Sequence, residues 1–272
     1  MIVFPNAKIN IGLRITGKRS DGYHDIETIF YPVSLSDVLE FVVSDQKVNR
    51  DLLKVTGIET GSTTEENLVL KTISKLREKY SIPFLNIHLH KVIPVGSGLG
   101  GGSSDAASIL KVINKHFSLN LDGQDLEATA LELGSDCPFF IENNPSFASG
   151  RGEILTPVGP VLEGYHLVII NPGVSIGTME AYRNCSPRPA GKSLRELIGK
   201  PLTEWKYLIK NDFEDFAFKK LPIIGGIKKG LYQAGAVFSL MSGSGSTVYG
   251  IFTEKPVMPE KLRELVIWEG LM

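Results

Sequence analysis

The stretch PVGSGLGGGSSD, residues 94–105, decides how this chain is read. Just before it, Leu85, Ile87 and Leu89 alternate with Asn86, His88 and His90, the pattern of a strand that runs to Pro94 and straight into the glycines. Just after it, Ile109, Leu110, Ile113 and Phe117 recur on one side of a helix. A glycine loop between a strand and a helix start lets several backbone N–H groups, and the positive end of the helix dipole, converge on one point. Phosphate suits that point. Glycine allows close backbone approach without a Cβ, while Ser103 and Ser104 are expected to cap the helix and add hydroxyl donors.

Other loop types compete for the same residues. A plain flexible surface loop is disfavoured by the strand on one side and the helix on the other. Gly96, Gly98 and Gly101 satisfy GxGxxG, with Asp122 at a tempting distance for a dinucleotide ribose. Asp122, however, precedes a helical segment, and no strand lies between Phe117 and Gln124. A Walker A loop needs a lysine between its glycines and its serine, and none is there. A phosphate loop of another type remains.

Working outward, Ala7, Ile9, Ile11, Leu13 and Ile15 alternate with Lys8, Asn10, Gly12, Arg14 and Thr16, predicting a half-buried strand over 7–16. SDGYHD follows as a turn, and DVLEFVV at 37–43 reads as a strand. The spacing of Leu68, Val69, Ile73, Leu76 and Tyr80 predicts a helix over 67–80, with Thr64 and two glutamates as cap and first turn. A further helix is expected from Gln124 to Leu133 with Gly134 as its C-cap, leaving Ser135, Asp136 and Cys137 in a turn before Pro138. Beyond Gly150 the pattern changes to a strand HLVII at 166–170, a turn at 171–173 and a short helix with Met179 and Tyr182. SGSGS at 242–246 sits between AVFSLM and TVYGIF as a hairpin connection, and a C-terminal helix is expected to close the chain.

Composition narrows the classes. With 272 residues, 42% hydrophobic and 22% charged, the chain can bury a core as one large domain or as two moderate ones, and two are expected. A formal net charge of -1 supplies no field for nucleic acid or an anionic membrane. Cys137 and Cys185 are the only cysteines, which suits a reducing cytoplasm, and no apolar run approaches the roughly 18 residues of a membrane span. The start MIVFPNAKIN lacks the pattern of a signal peptide, so a cytoplasmic protein is expected.

PVGSGLGGGSSD resembles the central motif of the GHMP superfamily of small-molecule kinases, which act on galactose, homoserine, mevalonate and related alcohols. PNAKINIGL at 5–13 and MSGSGSTVYGIF at 241–252 resemble that superfamily's first and third motifs. Longer signatures resemble a branch whose alcohol carries a cytidine diphosphate: PNAKINIGLRITGKRSDGYHDIETIF at 5–30, ENLVLK at 66–71, GLGGGSSDAA at 98–107, GSDCPFFI at 134–141, GRGE at 150–153 and NPGVSIGT at 171–178. Two features depart from that pattern. Many relatives carry another residue at Cys137, and 186–206 matches nothing in it.

The resemblance implies an α/β (α+β) two-domain fold. Its N-terminal domain, 1–153, would contain a left-handed βαβ unit, its C-terminal domain, 154–272, would be α/β and sandwich-like, and the site would lie in the cleft between them. That handedness breaks a rule followed by about 98% of such crossovers, so the pattern of residues alone would not suggest it. The resemblance assigns ATP to Pro94, Val95, Gly96, Ser97, Gly98, Leu99, Gly100, Gly101, Gly102, Ser103 and Ser104, with Asn67 and Lys91 near the adenine. It makes Lys8 and Asp136 the catalytic pair flanking the acceptor hydroxyl, with Asn10 on the same strand face as Lys8. Tyr23, His24 and Tyr182 would hold the cytidine. Mg²⁺ would arrive with ATP, without dedicated metal ligands, and the partners would be small molecules, with the chain a monomer or weak homodimer.

Each residue has a plainer alternative. Asp136 could be a helix N-cap, Lys8 a solvated strand lysine and Tyr182 a core aromatic. His88 and His90 are read as the exposed face of a strand rather than as metal ligands. A homoserine or mevalonate type of kinase would not require the Tyr-His pair. A nucleotide-binding regulator without catalysis would not require Lys8 and Asp136.

Overall fold

Apolar alternation sets the strands, and apolar stripes at helical spacing set the helices. The computed structural model describes residues 1–45, 49–59, 66–187 and 191–272. Its strands are β1 (Ile2–Val3), β2 (Asn6–Lys18), β3 (His24–Ser36), β4 (Val38–Val43), β5 (Leu52–Gly57), β6 (Leu85–Lys91), β7 (Ser146–Ser149), β8 (Ile154–Pro157), β9 (His166–Ile170), β10 (Phe238–Met241), β11 (Val248–Phe252) and β12 (Val266–Leu271). Its helices are α1 (Leu68–Arg77), α2 (Gly101–His116), α3 (Gly123–Leu133), α4 (Phe139–Glu142), α5 (Thr178–Arg183), α6 (Leu194–Leu197), α7 (Leu202–Leu208), α8 (Glu214–Lys220), α9 (Pro222–Gln233) and α10 (Glu260–Arg263). None of the helices is long and apolar enough to cross a membrane.

The chain folds into two compact units and passes between them more than once. The first comprises Met1–Ala7, Ser34–Val95 and Gly100–Asn143. Its sheet runs β1-β4-β6-β5, with β4 antiparallel to β6 and β5 parallel to it across the α1 connection. Leu85, Ile87 and Leu89 of β6 are buried as their alternation predicts, and α1 packs on α2 through faces that bury Val69, Ile73, Ile109 and Ile113. His88 and His90 lie on the exposed face, where both rings share the Thr56 hydroxyl at 2.8 and 3.0 Å.

The second unit comprises Lys8–Val33, Gly96–Leu99 and Asn144–Met272. It holds two sheets, β2-β3-β7-β8 and β10-β11-β9-β12. Leu13, Ile15 and Ile26 from the first share a core with Val168, Ile170 and Val248 from the second and with Ile224, Ile227 and Leu231 of α9. The β10–β11 pair is the hairpin expected around SGSGS, closing with Met241 opposite Val248.

Several expectations change. β2 is buried on both faces from Ala7 to Leu13, so it is not half-buried, and Lys8 and Asn10 are only 3% and 2% exposed. β3 escapes the alternation test because its middle, Ile29 to Tyr31, is an apolar run buried on both faces. β5, short and mixed, escapes it as well. The proposed cap Thr64 lies outside the described residues. The N-cap of α1 is Asn67, whose Oδ1 accepts from Val69 N at 2.9 Å. Asp122 caps α3 in a reciprocal capping box with Asp125, a structural task that removes it further from any ribose role. The C-terminal helix is a single turn, α10, and the chain closes instead on β12, because pairing with β9 outweighs local helical pattern.

Candidate active site

The glycine loop takes its shape from its dihedral pattern. Gly96, Gly98 and Gly100 have φ of 64°, 81° and 73°, a left-handed alternation open to glycine, and α2 starts on Gly100 as N-cap. The helix therefore begins before the serines. Ser103 and Ser104 stand in its first turn and do not cap it, which corrects the expectation from sequence. The N–H groups of Gly101, Gly102 and Ser103 have no acceptor within the helix, and no acidic side chain occupies that turn. Ser104 Oγ is buried and finds no partner among the described residues.

Residues of the second unit join the loop to strand β2 and to the SGSGS turn. Lys8 N donates to Leu99 O at 2.9 Å, and Thr247 N donates to Ser97 O at 3.2 Å. The Lys8 ammonium donates to Asn10 Oδ1 at 2.6 Å and to Gly98 O at 3.2 Å, and it lies 4.9 Å from the centroid of the Phe30 ring. Asn10 Nδ2 donates to Thr28 Oγ1, whose hydroxyl donates to Gly12 O. Ser242 Oγ donates to Gly98 O at 2.8 Å and accepts from Asn10 N at 3.1 Å. A solvated lysine is thus excluded: Lys8 is buried and held against the carbonyl of Gly98 in the glycine loop.

In the first unit the Lys91 ammonium lies buried between the carboxylates of Asp37 and Asp105. Asp37 Oδ1 also accepts from the N–H groups of Val92 and Ile93, so one carboxylate fixes the strand end that enters the loop. Lys91, expected near the adenine, directs its side chain into this triad, while its carbonyl accepts from Ile58 N. Burial pushes the Asp105 carboxyl up to about 7, against the pull of Lys91, and its Oδ1 has no partner among the described residues. An unfolded aspartate titrates near 3.9, so between about pH 4 and 7 the folded state binds the extra proton and stability falls as pH rises. Asp105→Asn is expected to flatten that slope, as measured by denaturant unfolding at about pH 5 and about pH 8.

Asp136 lies half-buried in the turn between α3 and α4. The N-cap of α4 is Pro138, with no side-chain cap, so helix capping does not account for Asp136. Next to it the Cys137 thiol is fully buried, and its pKa is pushed up to about 11 by that burial. It is an inert thiol at neutral pH. Lys111 donates to the carbonyls of Phe140 and Ile141 at 2.7 and 3.2 Å and secures the segment just after it.

The aromatic residues gather in the second unit. Arg19 bridges Asp21 and Asp25 at 3.0 Å each, Asp21 accepts from Tyr23 N, and the turn presents the Tyr23 ring 53% exposed. Arg19, with the Tyr23 N–H, holds the Asp21 carboxyl below the usual carboxylate range. His24 stacks on Tyr182, with centroids 5.0 Å apart at 23°, and Tyr182 meets the edge of Phe213. No base fits between His24 and Tyr182 at that separation. The Arg151 guanidinium covers one face of Tyr23, 4.7 Å from the centroid. GRGE gives Arg151 no task in the sequence, and Asp37, Thr28 and Asn211 leave no mark there, because isolated polar residues carry no periodic signal.

A glycine loop on a helix start, with a buried lysine at its Gly98 carbonyl, has the chemistry that a small-molecule kinase needs. Residues 67–144 match the model of the GHMP kinases N terminal domain, and residues 192–265 that of the GHMP kinases C terminal domain. A 4-diphosphocytidyl-2-C-methyl-D-erythritol kinase from Bacteroides thetaiotaomicron is 50% identical over 96% of this chain and 95% of its own. A solved 4-(cytidine 5'-diphospho)-2C-methyl-D-erythritol kinase superposes with a TM-score of 0.79 at 31% identity, covering 99% of this chain and 98% of its own. The mevalonate kinase of Methanococcus jannaschii, at 12% identity and a TM-score of 0.65 over 97% of this chain and 92% of its own, shares the fold alone. The chain belongs to the 4-diphosphocytidyl-2-C-methyl-D-erythritol kinase family of the GHMP kinases.

Proposed function

We propose that this enzyme transfers the γ-phosphoryl group of ATP to the 2-hydroxyl of 4-diphosphocytidyl-2-C-methyl-D-erythritol, giving the 2-phosphate and ADP in the non-mevalonate route to isoprenoid precursors. The observation that carries the reading is the Lys8 ammonium, buried and hydrogen-bonded to both Asn10 and the Gly98 carbonyl. It supports a cation fixed beside the phosphate loop by the same strand that supplies Asn10. Phosphoryl transfer has a loose transition state, so positioning and charge stabilisation dominate. In this reading Lys8 orients the acceptor hydroxyl and offsets charge on the transferring group. Asp136 accepts the hydroxyl proton as the O–P bond forms and the bond to ADP breaks, a task that does not require a strong base. The free N–H groups of Gly101, Gly102 and Ser103 hold the phosphates.

The orphaned Ser104 hydroxyl suits a Mg²⁺ carried in by ATP, and Ser103 stands in the same turn. When bound, the ion neutralises charge on the β- and γ-phosphate oxygens. Asn67 keeps its adenine assignment as the residue that opens α1, while Lys91 serves through its backbone, since its ammonium is committed to two carboxylates.

For the cytidine end, the exposed face of Tyr23 takes the base, Arg151 backs the other face, and His24 leaves Tyr182 so that Tyr182 forms the second wall. Cytoplasmic action on small molecules, as a monomer or weak homodimer, completes the reading. Incubation with Mg-ATP and each candidate alcohol, read by product mass, tests it. Phosphorylation of the cytidyl alcohol is expected, and phosphorylation of homoserine or mevalonate alone would sink the assignment. Tyr23→Ala is expected to raise KM for the cytidyl alcohol by about tenfold with kcat and KM for ATP little changed, since stacking a base is worth about 1–3 kcal/mol.

A further inference from the structure

We infer that Asn211 is a positioning residue for phosphoryl transfer, acting through the 242–246 turn; this rests on the proposed roles of Lys8 and the phosphate loop. Asn211 lies between α7 and α8 in the segment KNDFE, outside the signatures quoted above. The segment is fastened to β2: Leu13 N donates to Lys210 O at 3.0 Å, Asp212 N donates to Leu13 O at 2.9 Å, and Ile15 N donates to Asp212 Oδ2 at 2.8 Å. β2 is also the strand of Lys8 and Asn10.

Asn211 is 3% exposed, and both of its amide protons are used on one turn. Nδ2 donates to Met241 O and to Gly243 O, each at 2.8 Å, while Oδ1 accepts from Phe213 N at 3.0 Å. Glu214, one helical step on, accepts from Met241 N at 3.0 Å and is itself paired with Lys228. Met241 is therefore gripped at both its N–H and its carbonyl. The next residue is Ser242, whose hydroxyl spans Asn10 N and Gly98 O. Gly98 O is also an acceptor for the Lys8 ammonium.

The path leaves no slack. A Cβ on Gly98 would stand 2.0 Å from Ser242 O, and one on Gly243 would stand 3.0 Å from the Gly98 Cα. Displacement of residues 242–243 would thus free Gly98 O and loosen the anchor of Lys8. The acceptor side of Asn211 runs the other way, through Phe213 to the edge of Tyr182. This division makes the two ends separable by substitution. Aspartate keeps the oxygen that Phe213 needs and turns the other oxygen against two carbonyls.

Asn211→Asp is expected to lower kcat by about ten- to a hundredfold, the scale of a small misplacement of reacting groups, while cytidine diphosphate binding by calorimetry stays within about twofold. Ser242→Ala should also slow turnover, and the double variant should be no slower than Asn211→Asp, because both act through one turn. Where aspartate fails to fold, Asn211→Leu, of similar shape and without donors, takes its place in the same cycle. Turnover within about twofold of wild type in a folded variant, or losses that multiply as independent effects, would overturn the inference. Turnover is measured with whichever alcohol wild type phosphorylates, so a wrong substrate assignment registers in the wild type and leaves the test of Asn211 intact.

Discussion

Asp136→Ala is expected to bind a non-hydrolysable ATP analogue about as tightly as wild type, yet to turn over about 10²–10⁴ times more slowly. Asp136 occupies a turn whose backbone is secured without it: Cys137 N donates to Gly134 O, Phe140 N to Cys137 O and Ile141 N to Pro138 O. The helix after it has Pro138 at its cap, so truncation removes no helix cap. Its proposed work is confined to the moment when the hydroxyl proton leaves. Losses should therefore appear in kcat and kcat/KM together. Asp136→Asn, which keeps the shape, should be nearly as slow. Turnover near wild type in either variant would remove Asp136 from the mechanism.

Gly98→Ala is expected to cost about 2–4 kcal/mol of stability and to weaken ATP binding more than tenfold, because strain and collision act at one residue. With φ at 81°, any side chain there is strained, and its Cβ would meet the Ser242 carbonyl oxygen at 2.0 Å. Both partners are backbone, so no side chain can swing away. Gly96→Ala supplies the control. Its φ is also positive, at 64°, but nothing lies within 4 Å of an added Cβ, so only the conformational penalty of about 1–2 kcal/mol applies. Denaturant unfolding of the two variants separates strain from collision. Equal losses would mean that the contact between the Gly98 and Ser242 backbones is not rigid.

Much of the fold is legible in local pattern. β6 buries the residues its alternation selects, and α1 and α2 follow their apolar stripes. The loop at 94–105 is readable because glycines between a strand and a helix have few other uses. Pattern fails where burial is two-sided or where pairing is non-local. The middle of β3 has no exposed face to alternate with, and β12 is a strand only because β9 lies beside it.

The same division runs through the site. Lys8, Asn10, Tyr23, His24 and Asp136 were nameable because they sit inside contiguous motifs, and residue chemistry suggested what each could do. Sequence by itself determined the class of chain and the glycine loop between a strand and a helix, and it named these groups as candidates. Only the tertiary structure decided that Lys8 is a buried cation on the Gly98 carbonyl, that Lys91 is shared by Asp37 and Asp105, and that Asn211 grips the turn holding Gly98. These facts depend on partners far apart in the chain, such as Gly98 and Ser242. Hydrogen bonding acts over about 3 Å of space, whatever number of residues intervenes.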